Sequence, residues 1–208
     1  MESDVPRRFA AQIEPYLTLE RQKGIIAGLR GFPRKIQYYI DAHHGELLQG
    51  DGRAQLEILR FQDGARKAVR GIVLSNSCDI SVENQRSVPM NLTFAPLTNV
   101  SAYCDLLARA GWDERKIEAW LTDLKSQEIT QLFYLPKGAM LEEDVVARLD
   151  DVRSIPMSAV DSSAKTKIFT LSDVGFYLFL FKLSIHFCRF HEGVDRQGVA
   201  EHPTGTIQ

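Results

Sequence analysis

The spacing of the apolar residues changes character near residue 44, and that change limits the chain to a mixed α+β fold. Before it, Phe9, Ile13, Tyr16 and Leu17, then Ile25, Ile26 and Leu29, recur at helical spacing until Gly31 and Pro33 interrupt the run. A further helix is expected over 34–43. From Glu46 onward the texture is that of strands. Leu56, Ile58 and Leu59 lead into an Asp63-Gly64 turn, and apolar runs over 69–75 and 90–97 give two more strands.

A second helical stretch, 102–125, is broken at Gly111-Trp112-Asp113. Asp113 is placed to cap the second of its two helices, and Ile117, Trp120, Leu121 and Leu124 fall on one face. Residues 129–135 read as another strand, closed by Pro136-Lys137-Gly138. The last element opens with Thr170-Leu171-Ser172-Asp173, a capping box in which Asp173 replaces the usual Glu or Gln.

With 208 residues and 44% hydrophobic content, the chain can hold one domain of ordinary size with added helices. Lys and Arg total 25 against 27 Asp and Glu, so a broad basic coat is excluded and any RNA contact must be a local patch. Three widely spaced cysteines, Cys78, Cys104 and Cys188, argue for reduced thiols in a cytoplasm. No secretory or transit peptide is expected at the N-terminus. The apolar stretch 174–190 is about 17 residues long and contains Lys182, His186 and Arg189, so a buried helix or a dimer interface suits it better than a membrane span.

The octapeptide Arg148-Leu149-Asp150-Asp151-Val152-Arg153-Ser154-Ile155 reads as a short strand. Side chains alternate along a strand, so Arg148 and Asp150 are expected on one face, about 7 Å apart. A carboxylate that handles protons beside a fixed cation suits phosphodiester chemistry. As a plain surface ion pair the same two residues contribute ~0–1 kcal/mol.

Several segments, in order, resemble the MazF/PemK family of toxin endoribonucleases. Arg70-Gly71-Ile72-Val73-Leu74-Ser75 is similar to the family's Arg-Pro-x-Leu-Val-Leu-Ser strand, and Phe94-Ala95-Pro96-Leu97-Thr98 to its Ala-Pro-Ile/Leu-Thr strand end. Leu149 to Ile155 resembles its Asp-containing late strand, Leu135-Pro136-Lys137-Gly138 also fits, and Leu171-Ser172-Asp173 opens the final helix as in many members. The resemblance implies an SH3-like β-barrel over 44–192 with a C-terminal helix at about 171–191. An N-terminal helical extension (1–43) and a helical insert (101–128) have no family counterpart, and residues 193–208 form a polar tail.

What the resemblance implies for chemistry is metal-independent cleavage of single-stranded RNA without a cofactor. The ribose 2′-hydroxyl attacks its own 3′-phosphate, giving a cyclic phosphate and a 5′-hydroxyl. Carried over by position, the catalytic residues are Asp150, Arg148 and Thr98. Asp150 takes the proton, Arg148 stabilises the phosphorane oxygens because a guanidinium is a poor acid, and Thr98 holds a phosphate oxygen or the ribose. Family members are commonly homodimers blocked by an antitoxin protein, and both partners are implied here.

Aligning the Val-Leu-Ser cores without a gap puts the family's phosphate-binding Arg on Val69, with Arg70 one residue later. A shift of one residue turns a strand side chain to the other face. A bulge near Gly71 restores Arg70, or Lys67 on the Val69 face replaces it, or phosphate binding at this point is lost. Ser75 and Asn76 are expected to line the same cleft as Thr98, and Arg53, Arg60, Arg66, Lys67, Arg70 and Arg148 to form a basic groove. Phe61, Phe133 and Tyr134 are the aromatics expected near bound bases. Cys78-Asp79 with His43 or His44 offers an alternative nucleophile and base. His186, Cys188 and His191 do not converge on one helix face, so no metal site is expected.

Overall fold

The computed structural model describes residues 27, 28, 30, 32, 33, 35–60, 62–81 and 89–187. Of the helices expected before residue 34, the part over 5–26 lies outside the described residues, as does the tail, while residues 27 and 28 are helical. Among the described residues eight antiparallel strands form one sheet: β1 (Tyr39–Ile40), β2 (Gly52–Leu59), β3 (Arg66–Val73), β4 (Asn91–Asn99), β5 (Leu132–Leu135), β6 (Val145–Arg148), β7 (Arg153–Pro156) and β8 (Lys167–Leu171). Their order is β1-β8-β2-β3-β4-β6-β5, with β7 also paired to β4. Among the described residues the sheet is open, with β1 and β5 as its two ends. Four α-helices accompany it among the described residues: α1 (Ser77–Ile80), α2 (Val100–Arg109), α3 (Glu114–Lys125) and α4 (Asp173–Phe187).

The β2–β3 hairpin forms where the sequence places it, and Gly64 adopts φ +69 in its turn, a conformation that favours glycine. The helix expected over 34–43 does not form. Tyr39 and Ile40 instead pair with Leu171 and Thr170 of β8, while Ser172 N–H donates to the Tyr38 carbonyl at 2.8 Å. Tyr38 is buried in the core. Aromatic and β-branched residues with an open strand edge beside them gain more from the ladder than from an isolated helical turn.

One sheet face packs against α4. Ile72, Ala95, Leu97, Phe133, Leu135, Val145 and Ala147 meet Leu178 and Phe179 there. Gly175 lets the helix approach closely, since a Cβ at this position would lie 2.5 Å from the Tyr38 carbonyl oxygen. The capping position of α4 is Ser172, whose Oγ accepts from Gly175 N–H at 3.1 Å; Thr170, expected in a capping box, lies inside β8. Lys182 is the one polar residue among those that α4 buries, 2% exposed and donating to the Gln127 carbonyl. No helix among the described residues is long and apolar enough to cross a membrane.

The other face carries two separate clusters. Leu56, Val73, Ile80, Leu92 and Phe94 pack at one end, and Val100, Leu124, Leu132, Tyr134 and Val146 at the other, beneath α2 and α3. Those two helices are the expected insert. Asp113 Oδ1 accepts from Lys116 N–H at 2.9 Å and caps α3 as its position predicts.

Candidate functional site

The octapeptide 148–155 is not one strand. β6 ends at Arg148, a turn covers 149–152 and β7 begins at Arg153. β4 is long enough to pair with both, so the chain steps from one partner register to the next. Asp151 N–H closes the turn on the Arg148 carbonyl at 3.2 Å, and Leu149, 1% exposed, is its anchor in the core. Burying Leu149 leaves its neighbours Arg148 and Asp150 at the surface. Arg148 Nε and Nη2 donate to the two oxygens of Asp150 at 3.3 and 3.1 Å.

The pair is half-exposed, with side chains 37% and 41% accessible. Asp151 extends it, 3.8 Å from Arg148 Nη1 and 2.6 Å from Arg153 Nη2. Two guanidinium groups and two carboxylates therefore alternate along this surface. The Asp150 hydrogen bond raises the Arg148 pKa above its ordinary value, so this guanidinium keeps its proton and acts as a fixed charge.

Directly paired strand residues share a face, and side chains alternate along each strand. Thr98 is paired with Val146, two residues before Arg148, so Thr98 and Arg148 are diagonal neighbours on one face, about 7 Å apart between Cα atoms. Gly71 is paired with Pro96, which puts Val69 and Lys67 on this face and Arg70 on the opposite one. The bulge in this region falls on β2 between Arg53 and Leu56, where Gln55 has φ +60, and β3 keeps its alternation. Arg70 is thus not returned to the Thr98 face. Its guanidinium donates to Asn99 Oδ1, and Asn99 Nδ2 in turn donates to Glu143.

Ser75 and Asn76 are held elsewhere. Ser75 Oγ accepts from Thr93 N–H at 2.8 Å, and Thr93 precedes Thr98 by five strand residues, about 16 Å. Asn76 caps α1 by accepting from Cys78 N–H. Cys78 is exposed at the rim of a cavity of about 510 Å³ lined by Glu46, Leu48, Ser77 and Met157. His43, in the segment leading to that cavity, has Nδ1 2.9 Å from Glu46 Oε1. Among the described residues no group of three His, Cys, Asp or Glu could hold a metal ion.

The expected basic groove is broken by burial and pairing. Arg53 is fully buried, so it is not a surface cation; Arg60 pairs with Asp63 and Arg66 with Glu57. Phe133 and Tyr134 are 0% and 8% exposed, which removes them as platforms for bases, because alternate residues of the short β5 face core on both sides. Phe61 lies outside the described residues.

A buried charge cluster has no counterpart in the sequence reading. Asp51 is fully buried, 2.9 Å from Lys167 Nζ and 3.6 Å from Arg53 Nη2, and its Oδ1 accepts from Thr170 Oγ1 at 3.0 Å. Arg53 also donates to the carbonyls of Glu46 and Ser163 at 2.5 and 2.9 Å, while its Nε finds no partner among the described residues. Burial lowers the Arg53 pKa, and Asp51 opposes that shift. The one signal in the sequence is the Gly50-Asp51-Gly52-Arg53 alternation at the start of a strand, which does not distinguish a buried pair from an exposed one.

No protein-family model matches the chain, and no curated protein matches it.

Proposed function

We propose that the chain is a metal-independent endoribonuclease of the MazF/PemK type, built on an SH3-like sheet and acting on single-stranded RNA. The observation that supports this most is the surface pairing of Arg148 with Asp150 of the following turn, with Arg148 on the same sheet face as Thr98. Asp150 takes the proton of the ribose 2′-hydroxyl as its oxygen forms a bond to phosphorus. Arg148 turns from the carboxylate to the equatorial phosphorane oxygens, and Thr98 orients the phosphate. The bond from phosphorus to the 5′-oxygen then breaks, and that oxygen takes a proton from water. The products are a 2′,3′-cyclic phosphate and a 5′-hydroxyl.

The proposed setting is a cytoplasmic protein controlled by an antitoxin, with a homodimer contact along the apolar α4. A second reading, a non-catalytic member of the same fold that binds RNA or a protein, is favoured by one observation. Arg70, expected to hold phosphate, is on the far face and bonded to Asn99. Incubating the protein with varied single-stranded RNAs in EDTA, beside Asp150→Ala, separates the two. Cleavage lost in the variant supports the enzyme, cleavage unchanged in it removes Asp150 from the chemistry, and RNA bound but cut by neither favours the second reading.

A further inference from the structure

A ribonuclease of this kind must also hold the base next to the reacting phosphate. Of the aromatics expected for this task, Phe133 and Tyr134 are buried. The helical insert supplies another. α2 starts at Val100, two residues after Thr98, so its first turn rises directly from the strand end that carries Thr98. Three residues of helix add about 5 Å, so the Tyr103 backbone stays within one helical turn of that strand end. The start of α2 is fixed in place, because Glu143 accepts from both Asn99 and Ser101 Oγ, the latter at 2.6 Å.

Arg148 is paired across the sheet with Leu132, and Leu132 belongs to the cluster under the insert. Tyr103 and Trp120 are partly buried hydrophobics packed against the same cluster. Their rings are stacked, with centroids 5.1 Å apart and planes within 11°. Tyr103 also lies within electrostatic reach of Arg148. Trp112, 40% exposed, is at the far end of α2 and cannot serve the same place.

We propose that Tyr103, backed by Trp120, is the platform on which an unpaired nucleobase stacks beside the phosphate held at Arg148. The inference rests on the ribonuclease reading and extends it to a residue of the insert. A parallel aromatic pair is a stiff, preformed surface, and stacking on it tolerates any base. It would make the enzyme select RNA whose bases are free of a duplex.

The test uses the full chain carrying Asp150→Ala, so that RNA stays intact. Affinities for a single-stranded RNA and for an abasic RNA of equal length are compared for this parent and for versions with Tyr103→Leu or Tyr103→Phe added. Tyr103→Leu is expected to weaken intact RNA roughly 5- to 100-fold and leave abasic RNA within about twofold, while Tyr103→Phe binds like the parent. Equal affinity of Tyr103→Leu and parent for intact RNA overturns the platform, as does a parallel loss for both ligands. If wild type cuts RNA and Tyr103 has no effect on binding, only the platform falls. If neither wild type nor parent binds RNA, the ribonuclease reading falls with it.

Discussion

Arg148 and Asp150 face each other across a turn, through two nitrogen–oxygen contacts of 3.3 and 3.1 Å, with the intervening Leu149 driven into the core. The hydrophobic anchor, rather than strand alternation, presents the two charged groups together.

Asp150→Asn tests how much of this pair belongs to folding. Both side chains are more than a third exposed, so water and salt screen their attraction and the pair contributes ~0–1 kcal/mol. Urea unfolding is expected to shift by no more than that. If the proposed chemistry holds, RNA cleavage falls by about 10²- to 10⁴-fold, the usual contribution of a positioned base.

The buried cluster behaves in the opposite way. Asp51→Ala leaves Arg53 and Lys167 as buried cations without their carboxylate, and removing one partner of a buried pair costs about 3–5 kcal/mol. Denaturant unfolding should show the loss, and a change below about 1 kcal/mol would mean that these groups are not held together in solution.

Lys67 and Arg70 give contrasting expectations for RNA binding. Lys67 shares the Thr98 face and is exposed, whereas Arg70 is turned to the other face and bonded to Asn99. Lys67→Ala is expected to reduce the salt dependence of RNA affinity by about one phosphate contact, and Arg70→Ala to leave it unchanged. The reverse result would place the RNA on the α4 face of the sheet.

Lys182 predicts an alkaline rise in stability. Burial lowers its pKa from 10.5 to about 8, with Glu128 opposing the shift and the Gln127 carbonyl accepting a hydrogen bond from the ammonium. Between about pH 8 and 10.5 the unfolded chain holds this proton and the folded chain does not, so stability increases with pH, by at most about 3 kcal/mol. Above about pH 10 the sign reverses, because burial raises the pKa of Tyr38 to about 12 and also raises Tyr39 and Tyr134. Thermal unfolding of Lys182→Met from pH 8 to 10 should lose the rise.

The mixed α+β class, the hairpin at Asp63-Gly64 and the Asp113 cap were legible because each rests on local chemistry: a turn that tolerates positive φ, or a side chain that reaches its own helix. The opposite face of Arg70 followed from counting along a strand. What the sequence did not reveal depends on distant partners. Tyr39 and Ile40 become a strand only because β8 offers an edge, and 148–155 divides only because β4 spans two neighbours. Arg53 looks like any surface arginine until Asp51, 0% exposed, is found beside it. Ser75 and Asn76 resemble cleft residues but serve as hydrogen-bond acceptors, Ser75 for Thr93 N–H of a neighbouring strand and Asn76 for the first turn of its own helix.

The chemistry assigned to Arg148 and Asp150 is tested by the ends it leaves on RNA. Single-stranded RNA is treated in EDTA with wild type and with Asp150→Ala, and the fragments are weighed by mass spectrometry. Wild type is expected to give 2′,3′-cyclic phosphate and 5′-hydroxyl ends, absent or greatly reduced with the variant. Fragments ending in 5′-phosphate, a requirement for added metal, or equal cleavage by Asp150→Ala would contradict it.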